Sequence, residues 1–130
     1  MAEVNAVINK EHYTTAIQAG SNNLTADEGI ANGGQNMGFN PEELLAASLA
    51  ACTSITLRMY ADRKAFPVDK IHVNIVLARD INTATTSLNR RIIIEGAATA
   101  EQKTRMLQIA NNCPVHKILT SQIVIKTELV

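Results

Sequence analysis

Tryptophan is absent from this chain of 130 residues, and two Phe and two Tyr make up its whole aromatic content. Twelve basic residues are cancelled by twelve acidic ones. The positive field and the stacking surface that nucleic-acid binding needs are therefore both missing. Cysteine is equally scarce. Cys52 and Cys113 are the only two, and no Cys-x-x-Cys pair exists, which excludes a thioredoxin-like site. No segment approaches the roughly 20 apolar residues of a membrane span, and the opening Met1-Ala-Glu-Val-Asn5 lacks the basic start and apolar core of a signal peptide. The expectation is one cytoplasmic domain, residues 1–130, acting on small molecules or other proteins, with no nucleic acid and no membrane as partner. In that compartment a permanent disulfide is disfavoured. Two core thiols, a metal site or a transient redox pair remain open.

What the chain does have is one unusual stretch, Asn40-Pro-Glu-Glu-Leu-Leu-Ala-Ala-Ser-Leu-Ala-Ala-Cys52. Asn40 is a good N-cap, Pro41 suits the first helical position, and Glu43 stands where it can close a capping box. From Leu44 to Cys52 only Ser48 is polar, so this helix has no wet face there and is expected to be buried on nearly all sides. It runs to about Lys64, and Pro67 ends it. Such a helix is too apolar for one sheet face of a small monomer, and a second copy of the chain is expected to cover it.

Around it the chain reads as short strands and further helices. Val4–Ile8 and Tyr13–Ala19 are β-prone with a turn between them, and Leu24–Asp27 adds a third short strand. Gly29 to Asn40 carries four glycines and reads as a loop, either a flexible connector or a rim over Cys52. Lys70–Arg79 alternates, with Ile71, Val73, Ile75 and Leu77 on one face, and Leu88–Gly96 returns beside it. Thr99 caps a second helix with Gln102 as its capping-box partner. Cys113 lies on that helix's apolar stripe, Pro114 breaks it, and Val115–Leu119 forms a short further helix. Ile123–Leu129 alternates again and is expected to close the chain as a strand. The fold class is α+β, largely antiparallel.

Each cysteine has a bland reading as a buried thiol. Cys52, inside a helix, needs a cation from elsewhere to become reactive, with Ser48 and Thr56 as local hydroxyl partners. Cys113, ahead of Pro114-Val115-His116, can cap the short helix near an imidazolium, which makes it locally the more activated thiol. A zinc site from Cys52, Cys113 and His116 lacks a fourth ligand and the usual pairing. Glu42 and Glu43 read locally as acids of a helix N-terminus.

The segment from Pro41 to Thr53, followed by Cys113-Pro114-Val115-His116, resembles the OsmC/Ohr family, the osmotically induced protein C and organic hydroperoxide resistance proteins. The likeness covers about Gly33 to Val130 and is closest to the short OsmC-like branch. It implies an intertwined cytoplasmic homodimer with antiparallel sheets packed around two long central helices and active sites at the interface. It further implies thiol peroxidases that reduce organic hydroperoxides, without a cofactor or metal. Carried over, Cys52 matches the cysteine that attacks the peroxide, Cys113 the one that resolves the sulfenic acid to a disulfide, and Glu42 a glutamate that pairs with an arginine beside the thiolate. A dithiol reductant of the lipoyl type is implied for turnover. One departure stands out: the family's arginine precedes the cysteine helix, whereas no arginine precedes Arg58 here. Weak activity, a substitute cation, or a small-molecule-binding or stress protein of the same fold are the expectations that follow.

Overall fold

The computed structural model describes residues 1–130, which fall into two compact units, Met1–Leu45 and Ala46–Val130. In the first, β1 (Asn5–Ile8), β2 (Thr15–Ala19) and β3 (Asn22–Ala26) form an antiparallel sheet in that order, with Ile17 opposite Ala6 and Leu24. Gly20 turns β2 into β3 at φ +59°, a left-handed conformation that costs glycine nothing.

The glycine-rich segment after β3 is no loose connector. The Asp27 carboxylate accepts four backbone N–H groups, from Tyr13 (3.0 Å), Glu28 (2.7 Å), Gln35 (3.2 Å) and Met37 (3.1 Å). A 3₁₀ turn at Ile30–Asn32 lies within the wrapped segment, and the Asp27 N–H donates to the Phe39 carbonyl at 3.0 Å. Burial pushes the Asp27 carboxyl up, but the four N–H donors outweigh it and hold it below its ordinary 3.8. The stabilisation is therefore complete above that ordinary value and is lost as pH falls through the lower folded one. Asp27→Ala is expected to lower the melting temperature at neutral pH and to open residues 28–40 to proteolysis, with the difference from wild type vanishing in acid.

Helix α1 (Pro41–Arg63) starts on the capping box read from the sequence: Glu43 N donates to Asn40 Oδ1 at 2.8 Å and Asn40 N to Glu43 Oε1 at 2.9 Å. In the second unit β4 (Val68–Asp80) and β5 (Thr85–Gly96) form a long antiparallel hairpin, followed by α2 (Ala100–Ala110) and α3 (Pro114–Leu119). Thr99 and Gln102 close the second capping box, at 3.1 and 3.0 Å. The core of this unit joins Leu57, Tyr60 and Ala61 of α1 to Met106 and Ala110 of α2, with Ile71, Ile92 and Ile94 of the hairpin packed against them. A lone two-stranded hairpin is marginal in water; the helices against its inner face make it stable.

Three expectations are corrected. Ile123–Leu129 forms no strand, because a β-prone run needs a partner and none in this chain pairs with it. The residues from 121 on are exposed, Ile125 at 83%. Helix α1 is not buried on nearly all sides: Leu49, Thr53, Leu57, Tyr60 and Ala61 face inward, while Ile55 and Met59 are open, the latter at 67%. With 23 residues, α1 is also long and apolar enough to cross a membrane by length and composition, contrary to the reading that no segment comes close. Its buried stripe belongs to a packed core, which is the other setting that favours such a helix.

Candidate functional site

Proline fixes where the second thiol sits. Pro114 occupies the first position of α3, so Cys113 becomes its N-cap in extended backbone, and Cys113 Sγ accepts the His116 N–H at 3.4 Å. Cys113 is wholly buried. Cys52, midway along α1, is half-buried; its Sγ accepts the Val115 N–H at 3.5 Å and lies 4.0 Å from Thr56 Oγ1. Both are free thiols, held by the N–H groups of two successive residues, Val115 and His116. The start of α3 thus gathers sulfurs that are far apart in sequence.

The cation beside Cys113 is Arg90, which reading the sequence did not single out. One of its Nη atoms donates to Thr53 Oγ1 at 3.0 Å and lies 3.9 Å from Cys113 Sγ. The other donates to Asn111 Oδ1 at 3.1 Å and meets His116 Nδ1 at 3.0 Å. Arginine can only donate, so Nδ1 accepts and the ring proton belongs on Nε2. The expected imidazolium beside Cys113 is therefore replaced by a guanidinium, while His116 offers the sulfur its backbone N–H. The two ion pairs of the structure, Arg58–Asp62 and Lys70–Glu95, leave Arg90 without a carboxylate partner.

Burial pushes the Cys113 thiol up and is the largest single influence. The His116 N–H, Cys52, the Thr53 hydroxyl and the Arg90 charge together overcome it, and the thiol ends below its ordinary value. The local reading of Cys113 as an activated thiol holds, with a different cation as part of the cause.

A cavity of about 400 Å³ opens beside this cluster, walled by Leu49, Leu88, Leu107 and Leu119, with Arg90 and His116 at its polar end. Its size and its mix of apolar wall and few polar groups suit a small organic molecule. Glu42 stands exposed in the first turn of α1, in the other unit. No three His, Cys, Asp or Glu side chains are grouped as a metal ion needs. The zinc alternative fails on charge as well, since His116 Nδ1 faces a guanidinium.

One sequence signal for Arg90 was available. On β5 the inward positions alternate as Leu88, Arg90, Ile92 and Ile94, opposite Leu77, Ile75, Val73 and Ile71. A cation in a row that period-two patterning reserves for apolar side chains is a functional candidate. Thr53 offered less: its hydroxyl also donates to the Leu49 carbonyl at 2.7 Å, as any helical threonine's does.

A model of the OsmC-like protein family matches residues 33–128. No curated protein sequence matches the chain. Among solved structures, an OsmC-like protein from Mycoplasma pneumoniae aligns at TM-score 0.78 and 21% identity, over 92% of this chain and 86% of that one. The organic hydroperoxide resistance protein OhrB of Bacillus subtilis aligns at 0.63 and 22%, over 92% and 90%. An organic hydroperoxide resistance protein OsmC from Legionella pneumophila aligns at 0.67 and 18%, over 92% and 89%. At these identities the likeness is one of fold.

Proposed function

Because the chain belongs to the OsmC-like protein family, we propose that it is a cytoplasmic thiol-dependent peroxidase that reduces organic hydroperoxides, with hydrogen peroxide a further candidate substrate. The observation that carries this reading is that the first turn of α3 holds both sulfurs through adjacent N–H groups, Val115 to the half-buried Cys52 and His116 to the wholly buried Cys113. Cys52 as thiolate attacks a peroxide oxygen; the O–O bond breaks, the alcohol leaves with a proton, and Cys52 becomes a sulfenic acid. Cys113 as thiolate then attacks the Cys52 sulfur. Water is expelled and a disulfide forms. A dithiol of the lipoyl type returns both cysteines to thiols, being oxidised to its own disulfide. Glu42 is a carboxylate partner by the resemblance alone, since the partners of Cys52 Sγ within this chain are neutral. Steady-state hydroperoxide consumption driven by dihydrolipoamide tests the proposal: turnover by the wild type supports it, and none with any hydroperoxide offered would end it.

The reading takes both units as one OsmC-like domain that works as an intertwined homodimer. The open apolar side of α1 at Ile55 and Met59, and the unpaired run Ile123–Ile125, are the surfaces it assigns to a second copy. Native mass spectrometry is expected to give twice the 14.1 kDa chain mass, and Met59→Glu is expected to shift the population to single chains.

A second reading, a binding protein of the same fold whose cysteines do not turn over, draws on the cavity of about 400 Å³. A small molecule retained through native mass spectrometry of fresh protein, with no peroxide turnover, would favour it.

A further inference from the structure

Two thiols that form a disulfide pose a question that their pairing alone does not answer: which sulfur does the reductant attack, and which one leaves? The surroundings of the two sulfurs are unequal. Cys113 Sγ is wholly buried and has Arg90 Nη1 at 3.9 Å, Thr53 Oγ1 at 4.0 Å and the His116 N–H at 3.4 Å. Cys52 Sγ is half-buried and its partners, the Val115 N–H and the Thr56 hydroxyl, are neutral. Arg90 in turn is held in place by Asn111 and His116, and no carboxylate neutralises it.

From this asymmetry we infer that Arg90, held by Thr53, Asn111 and His116, serves Cys113 as a leaving group, so that a dithiol attacks the Cys52 sulfur of the disulfide and expels Cys113 as an anion against the guanidinium. The inference rests on the redox pair proposed above and adds the direction of its reduction. In the first step a reductant thiolate forms a sulfur–sulfur bond to Cys52 while the Cys52–Cys113 bond breaks, and the electron pair goes to Cys113. In the second, the reductant's other thiol, as thiolate, attacks its own sulfur of the mixed disulfide. Cys52 leaves, and the reductant departs as a cyclic disulfide, two electrons and two protons poorer. Exchange is faster the better the leaving thiolate is stabilised, and a wholly buried sulfur offers an incoming thiolate no line of approach.

The test uses the oxidised full-length protein, with the disulfide made by diamide so that no peroxidase activity is needed. Dihydrolipoamide is then mixed with wild type, Arg90→Met and Arg90→Lys in stopped flow. Arg90→Met is expected to slow reduction about tenfold, with Arg90→Lys between the two. In a Cys52→Ser background, Arg90→Met is expected to move the Cys113 thiolate titration, followed by ultraviolet absorbance, to higher pH. A purely structural role would not move that titration in a folded variant. Acid-quenched mixed disulfide mapped to Cys52 supports the inference. An adduct on Cys113, an unchanged rate and titration in Arg90→Met, or no Cys52–Cys113 disulfide after diamide would overturn it. Should Arg90→Met not fold, Arg90→Lys and the adduct map still decide. Arginine-dependent reduction in a protein that consumes no hydroperoxide would leave this inference standing and remove only the peroxidase reading.

Discussion

Cys52→Ser is expected to lose hydroperoxide consumption by at least about 1,000-fold, because removing the nucleophile leaves only substrate binding and positioning. A serine hydroxyl in the same place has no accessible anion at neutral pH and cannot form the sulfenic acid. Cys113→Ser is expected to behave differently. It consumes one equivalent of peroxide and stops with Cys52 as a sulfenic acid, which a dimedone adduct visible in the intact mass reveals. Equal loss of that first equivalent in both variants would contradict the division of roles. The local geometry makes this contrast informative, since Cys113 has the richer set of partners, yet Cys52 is the less buried of the two sulfurs.

The largest stability effect is expected at Leu57. Its side chain is wholly buried, between the rest of the α1 stripe and Met106 and Ala110 of α2. Truncation to alanine removes buried methyl groups and leaves a cavity that the paired helices cannot close, at a cost of about 3 kcal/mol. Against a domain stability on the order of 5–15 kcal/mol, that is a large fraction. Urea unfolding followed by circular dichroism is expected to show the midpoint falling with the slope unchanged. A loss below about 1 kcal/mol would mean that the α1–α2 core packs less tightly than the burial of Leu57 implies.

Local rules made much of this fold legible. Asn40 with Glu43 and Thr99 with Gln102 were readable because a capping box is confined to four consecutive residues, and both formed. The inward row Ile71, Val73, Ile75 and Leu77 was readable because period-two alternation needs no knowledge of the partner strand. What escaped was what depends on the third dimension. Arg90 reaches Cys113 only because β5 lies where it does, although its place in an apolar row was a usable sign. Asp27 looked like the end of a strand, and its four N–H donors come from as far apart as Tyr13 and Met37. Ile123–Leu129 has a strand's composition without a strand's partner, and composition cannot supply one.

The pair of cysteines illustrates both sides of this. Their types and flanking residues were visible at once, but neither spacing nor periodicity determines that an N–H of Val115 points at Cys52 while that of His116 points at Cys113. The missing N-terminal arginine, taken alone, argued for a feeble thiol. A guanidinium arriving from the hairpin changes that expectation for Cys113.

The most direct measurement is the mass of the protein, and of its peptides under non-reducing conditions, after one equivalent of an alkyl hydroperoxide. A decrease of two hydrogens, located in a single cross-linked peptide pair containing Cys52 and Cys113, is the predicted result. An unchanged mass with both thiols still titratable, or oxygen added at Cys52 that never passes to Cys113, would contradict it.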